Sequence, residues 1–129
     1  MRYNGIMTPE LLIVCFAALF TKHFVFDFLL QGPFQFLNKG TYGHPGGILH
    51  AGLQAIGTFV VLGFFVGPVV SFTLGVLDGV VHYHIDWAKT RLNDYLSLQP
   101  NNEKFWWLLG LDQYLHYMTY AFLLGALVF

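Results

Sequence analysis

Four mainly apolar stretches, each about as long as a bilayer crossing, are separated by turn-forming residues, and this alternation constrains the chain more than any motif in it. A transmembrane helix needs about 20 consecutive, mostly apolar residues. The spacing predicts spans over residues 9–31, 48–66, 69–92 and 105–129. Pro9 suits the first turn of the first span, and Gly32-Pro33 stops it, because proline fixes φ and has no N–H to donate. Residues 34–47, rich in glycine and aromatic side chains, read as an interfacial loop. Gly67-Pro68 forms an uncharged hairpin between the second and third spans. Pro100-Asn101-Asn102 is suited to ending the third and capping the fourth. Of 129 residues, 56% are hydrophobic and only 10% charged, far from the balance of a water-soluble domain. The expected fold is all-α, an integral membrane four-helix bundle in which residues 1–129 form a single transmembrane domain.

The start of the chain invites another reading. Met1-Arg2-Tyr3 and the apolar run Leu11–Phe20 imitate a secretory signal. No small-residue cleavage site follows, and the apolar pattern continues through His23 and Asp27 to Leu30, so a first transmembrane helix is the better expectation.

Four crossings place both termini and the Gly67 hairpin on one side and the two longer loops on the other. Lys39 lies in the first of those loops, and Lys89, Arg91 and Lys104 lie at the second, whereas the opposite side offers only Arg2. Cytoplasmic segments are enriched in Lys and Arg, so both loops are expected in the cytoplasm and both termini outside it. Trp87, Trp106 and Trp107 fall at the same boundary, where amphipathic indoles settle. The net charge of −1, with its few basic residues scattered, leaves no footprint for nucleic acid. The single cysteine, Cys15, sits in an apolar run and reads as a small buried hydrophobe.

The polar residues inside these spans are not scattered. They are His23, Asp27 and Gln31 in the first, His50 and Gln54 in the second, Asp78, His82 and Asp86 in the third, and Asp112, Gln113 and His116 in the fourth. Most are four apart, which puts them on one face of each helix. The first and third spans carry them late and the second and fourth carry them early, so in an alternating topology all four stripes meet at one depth, toward the cytoplasm. An Asp at the centre of a membrane helix costs about 2.5–3.5 kcal/mol on insertion scales, so several must be compensated. Carboxylates and imidazoles can be neutralised by mutual hydrogen bonding, by water, or by a cation.

A divalent metal is one such compensation, with imidazole and carboxylate together suiting zinc, iron or manganese. The candidate ligands are His23, Asp27, His50, His82, Asp86, Asp112 and His116. Gln31, Gln54, Asp78, Lys89 and Gln113 are candidates for supporting or ligand-binding contacts. The alternative is a His–Asp hydrogen-bond network that only ties the helices together. Both stay open, because no spacing here is as diagnostic as H-E-x-x-H.

Gly75 and Gly79 form a small-xxx-small pair suited to close helix packing. His44, beside Pro45-Gly46-Gly47, reads as an exposed loop histidine, and His84 points off the stripe. Lys22 could snorkel, pair with an Asp or mark an anion site. Glu10 and Glu103 suit first helical turns, and Tyr114, Tyr117 and Tyr120 read as packing and interface aromatics.

Three segments, His23-Phe24-Val25-Phe26-Asp27-Phe28-Leu29-Leu30-Gln31, His82-Tyr83-His84-Ile85-Asp86-Trp87-Ala88-Lys89 and Asp112-Gln113-Tyr114-Leu115-His116, together with His50, resemble the bacterial and phage membrane-protein family called domain of unknown function 3307. Its pattern is H-x-x-x-D-F-x-x-Q, a histidine opening the second helix, H-x-x-x-D-x-x-K, and D-Q-x-x-H. The resemblance spans nearly the whole chain and implies a bacterial or phage-encoded, multi-pass protein of the inner (plasma) membrane. A looser similarity to membrane-bound metal-dependent hydrolases implies His and Asp on transmembrane helices working on a lipid-like substrate. Three functions follow as expectations: a membrane metalloprotein, with hydrolysis as its candidate activity; a proton or cation relay; or a non-enzymatic subunit of a membrane complex or homo-oligomer with the lipid bilayer around it.

Overall fold

A computed structural model describes residues 7–128 and is all-helical over them, with no strand. Helix α1 (Pro9–Phe24) runs into a single π turn, Val25–Leu29, and a short helix α2 (Pro33–Phe36) follows. The remaining helices are α3 (Pro45–Gly63), α4 (Pro68–Tyr95) and α5 (Glu103–Val128). Arg2, the leader-like Met1-Arg2-Tyr3 and Phe129 at the end of the fourth expected span lie outside the described residues.

Local chemistry explains the helix ends. Proline opens α1, α2, α3 and α4, where its fixed φ is pre-organised and its missing N–H is not needed. Thr8 caps α1 by accepting from the Leu11 N–H at 3.3 Å. His44 caps α3 by accepting from the Gly46 N–H at 3.0 Å, so the expected exposed loop histidine is instead a half-buried helix cap. Ser97, just past α4, takes φ 50°, the left-handed conformation that often closes a helix.

The boundaries depart from expectation in several places. α3 begins at Pro45 and ends at Gly63 rather than spanning 48–66, and α4 continues to Tyr95. The expected loop 34–47 holds part of α2 and folds back on α3. Two stretches, Pro9–Leu29 and Pro45–Gly63, are long and apolar enough to cross a membrane. In α4 and α5 the charges at Asp78, Asp86, Lys89 and Asp112 dilute an otherwise apolar sequence.

α3 packs along α4, α4 against α5, and α1 against both α3 and α5, so the long helices close into a ring. α3 and α4 approach closely because of two glycines. A Cβ at Gly79 would stand 2.7 Å from Ala55 Cβ, and one at Gly75 would stand 2.8 Å from the Ala55 carbonyl oxygen. The interior is divided by depth. Cys15, Leu19, Leu62, Leu74, Leu123, Leu124 and Leu127 fill the end near the α3–α4 turn. The other end is polar, and over the described residues buried polar or charged residues outnumber buried hydrophobic ones, twelve to ten. The outer surface is apolar, with Ile13, Phe64, Val69, Phe72 and Phe122 each well over half exposed.

Candidate metal centre

All seven sequence-predicted ligands, His23, Asp27, His50, His82, Asp86, Asp112 and His116, are buried together. Asp27 comes from the π turn, His50 from α3, His82 and Asp86 from successive turns of α4, and Asp112 and His116 from successive turns of α5. The π turn closes on an i→i+5 bond, Leu30 N–H to Val25 C=O at 2.9 Å, which rotates the residues after it relative to a regular helix. Single π turns recur at functional sites, and this one carries Asp27.

Four of these side chains converge on one point. His50 Nε2 lies 2.8 Å from Asp27 Oδ1, 3.3 Å from Asp86 Oδ2 and 3.0 Å from His82 Nε2. His82 Nε2 is in turn 3.4 Å from Asp27 Oδ1 and 3.3 Å from Asp86 Oδ2. Donor atoms held about 2.0–2.1 Å from a tetrahedral ion stand about 3.3–3.4 Å from one another; three of these contacts have that spacing, and the two of His50 Nε2 with Asp27 and His82 are shorter, at hydrogen-bond length. Protonation agrees. His50 Nδ1 faces Gln35 Oε1 at 3.1 Å, which places the ring proton on Nδ1 and leaves the Nε2 lone pair aimed at the shared point.

A second group adjoins the first through Asp86. His116 Nε2 is 3.3 Å from Asp86 Oδ1 and 3.5 Å from Asp112 Oδ1, so the two oxygens of Asp86 face different clusters. The atoms of Asp86, Asp112 and His116 lie within 4.8 Å of one another, as do those of Asp27, His50, His82 and Asp86. The His82 and His116 rings stack at 4.0 Å between centroids. His82 Nδ1, Asp86 Oδ2 and Asp112 Oδ1 are buried without a hydrogen bond, although the Lys39 ammonium stands 2.7 Å from Asp86 Oδ2 as an ion pair.

His23 has a different place. It also joins a group with His82 and His116 whose ligand atoms lie within 4.8 Å, but both its ring nitrogens have partners, Tyr120 Oη at 3.0 Å from Nδ1 and Gln113 Oε1 at 3.0 Å from Nε2. These contacts form a chain with one donor direction. Lys22 donates to Tyr120 at 3.0 Å, Tyr120 to His23 Nδ1, His23 Nε2–H to Gln113, and Gln113 to Asp112 Oδ2 at 3.1 Å. A shorter chain runs from Lys22 to Gln54 Oε1 at 2.7 Å and from Gln54 Nε2 to Asp27 Oδ1 at 2.8 Å. The third proton of Lys22 goes to Asp78 Oδ2 at 3.0 Å, which also accepts from Thr58 at 2.6 Å. Lys22 therefore neither snorkels nor marks an exposed anion site. It pairs with Asp78 deep in the assembly and orients the amides beside the carboxylates.

The other expected supporting residues divide. Gln54 and Gln113 touch the ligands, and Asp78 belongs to the Lys22 cluster instead. Gln31 hydrogen bonds the backbone carbonyl of Asp27 through its amide. Lys89 makes no ion pair or side-chain hydrogen bond with the ligands among the described residues but lines a cavity that reaches Asp86 and Asp112. Five residues that touch this network were not singled out for it from sequence: Gln35 and Lys39 around α2, Thr58, Lys22 as an orienting group, and Tyr120, which is fully buried with a working hydroxyl rather than only packed. Thr58 extends the 50, 54 run and Tyr120 the 112, 116 run by one more step of four, and that continuation was the available signal. Gln35 and Lys39 carry none, because their positions depend on how the segment after Pro33 folds back.

No curated protein and no solved structure matches the chain. A family model described as "Protein of unknown function (DUF3307)" matches residues 15–128, which include every residue of both clusters. The chain belongs to this family.

Proposed function

We propose that the protein is a multi-pass metalloprotein of the bacterial or phage-encoded inner-membrane class, one transmembrane domain built as a four-helix bundle with its metal centre near the cytoplasmic face. The apolar outer surface and polar interior support the bilayer placement, since a chain in water arranges them the other way round. A polar interior also lets α4 and α5 cross despite their charges, because those charges face the assembly and one another.

The observation that carries the metal assignment is the four-atom convergence of Asp27, His50, His82 and Asp86. Charge supports it. Lys22 offsets Asp78 and Lys39 offsets one of Asp27, Asp86 and Asp112, which leaves two negative charges if the histidines are neutral. One divalent cation balances them. A hydrogen-bond network alone would leave two uncompensated carboxylates and Asp112 Oδ1 without a hydrogen bond. Zinc, iron or manganese fits the mixed nitrogen and oxygen donors.

The group of Asp86, Asp112 and His116 offers three ligands, the number that a reactive rather than a purely structural ion would take from the protein. A divalent ion there supplies Lewis acidity and a bound water of lowered pKa. The Lys22 chain holds the Asp112 carboxylate by Oδ2, through Gln113, and leaves Oδ1 to face the ion. Hydrolysis of a lipid-like substrate is the activity this arrangement suits. The apolar packing of Leu19, Leu62 and Leu123 beyond the Lys22 cluster speaks against a proton or cation route through the chain.

Metal analysis of detergent-purified protein tests the assignment. One to two divalent ions per chain are expected, with a loss of at least half on His82→Ala and about 10–100-fold weaker binding on Gln35→Ala, which removes the partner of His50 Nδ1. Trace metal in the parent protein under metal-replete growth would sink it.

A further inference from the structure

A cavity of about 290 Å³ opens at the end of the helix ring that carries α2 and the α4–α5 connection. Asp27, Asp86 and Asp112 reach it from the two clusters, and Lys39 and Lys89 stand over them. Among the described residues, four of the five buried side-chain atoms that lack a hydrogen bond belong to residues lining this cavity, Gln31, Asp86, Asn93 and Asp112, and of these the Asp86 oxygen is ion-paired to Lys39. Asp86 and Asp112 are themselves only 4% and 5% exposed. Buried polar atoms are almost always partnered, so this concentration marks the cavity as a place for a polar occupant.

The sign of that occupant follows from charge. The three carboxylates outweigh the two lysines by one negative charge, which repels an anion. One divalent ion at the Asp86, Asp112 and His116 group turns the balance to one positive charge. Lys39 already pairs with Asp86 at 2.7 Å, whereas Lys89 has no ion-pair partner among the described residues. An ammonium with no partner beside a metal centre suits an anion with several oxygens, and lysine serves phosphate as a point charge. Phe28, Phe36, Phe105 and Leu109 line the cavity beside the polar groups. Phe28 and Phe36 are about half exposed, so an alkyl portion can continue from the cavity along the outer surface.

We propose that this cavity binds a phosphoryl group, with Lys89 and Lys39 on its oxygens and an ion at the Asp86, Asp112 and His116 group on another. The proposal rests on the metal centre described above and names the class of ligand it serves. The phosphoryl group can come from a lipid headgroup or from free phosphate, and the exposed Phe28 and Phe36 favour the first.

Isothermal titration of zinc-loaded protein in neutral detergent, with metal content measured on the same sample, tests it. The probes are inorganic phosphate, dihexanoyl phosphatidic acid and, as a control, acetate. Both phosphoryl probes are expected to bind at least tenfold more tightly than acetate. Tighter binding of the phosphatidic acid identifies a lipid headgroup as the source, and equal binding identifies free phosphate. Lys89→Gln is expected to weaken both at least tenfold while its metal content stays that of the parent. A loaded protein that binds neither probe, or that binds acetate as well as phosphate, overturns the phosphoryl assignment and leaves the metal centre standing. Unchanged affinity in both Lys89→Gln and Lys39→Gln overturns it as well. A parent protein that takes up no metal and binds no phosphate overturns the two readings together.

Discussion

Lys22 is the residue on which most of the polar interior depends. Each of its three protons has an acceptor, and two of those bonds start the chains that end on Asp27 and Asp112. Its alkyl stem lies against Gly57, where an added Cβ would stand 2.6 Å from Lys22 Cδ. Removing one partner of a buried ion pair leaves an uncompensated charge and costs about 3–5 kcal/mol, so Lys22→Met is expected to destabilise the protein by that order in detergent unfolding. The double substitution Lys22→Met with Asp78→Leu removes both charges and is expected to recover most of the loss. If the double variant unfolds as easily as the single one, the pair is not what holds this region.

At the scale of the element, the π turn is the feature that a helical reading of the sequence passes over. His23, Asp27 and Gln31 look like a regular stripe at four-residue spacing, yet Asp27 sits in a widened turn. Deleting Phe28 removes the extra residue, restores regular winding and alters the approach of the chain to Asp27. The expected outcome is metal content reduced by half or more with helix content by circular dichroism unchanged. Retained metal would mean that Asp27 tolerates either winding. The stripes on α3, α4 and α5 were legible because alternate occupation of one helix face by His, Asp and Gln has few explanations in an apolar segment. The segment from Pro33 to His44 was not legible. Its glycines and aromatics signal only the lack of a long helix, while the placement of Gln35 and Lys39 against the centre comes from tertiary packing that no local pattern encodes. His44 as a cap was within reach, since it directly precedes a proline that opens a helix.

For the whole molecule, the proposed topology makes a directional prediction. In a Cys15→Ala background, Thr41→Cys and Ser97→Cys are expected to react with a membrane-impermeant maleimide only from the cytoplasmic side, and Gly67→Cys only from the other. Labelling of all three from one side would exclude the four-span arrangement. The same arrangement bears on biogenesis. α4, with Asp78 and Asp86 in it, is a poor candidate to leave the translocation machinery for lipid alone. Only residues 64–67 separate it from α3, so in the proposed topology the two helices are expected to reach the bilayer as a hairpin, joined along Gly75 and Gly79. The glycine seam would then act before any ligand does: it would let α3 escort α4 into the membrane with His50 and Thr58 at hand for the polar residues it brings.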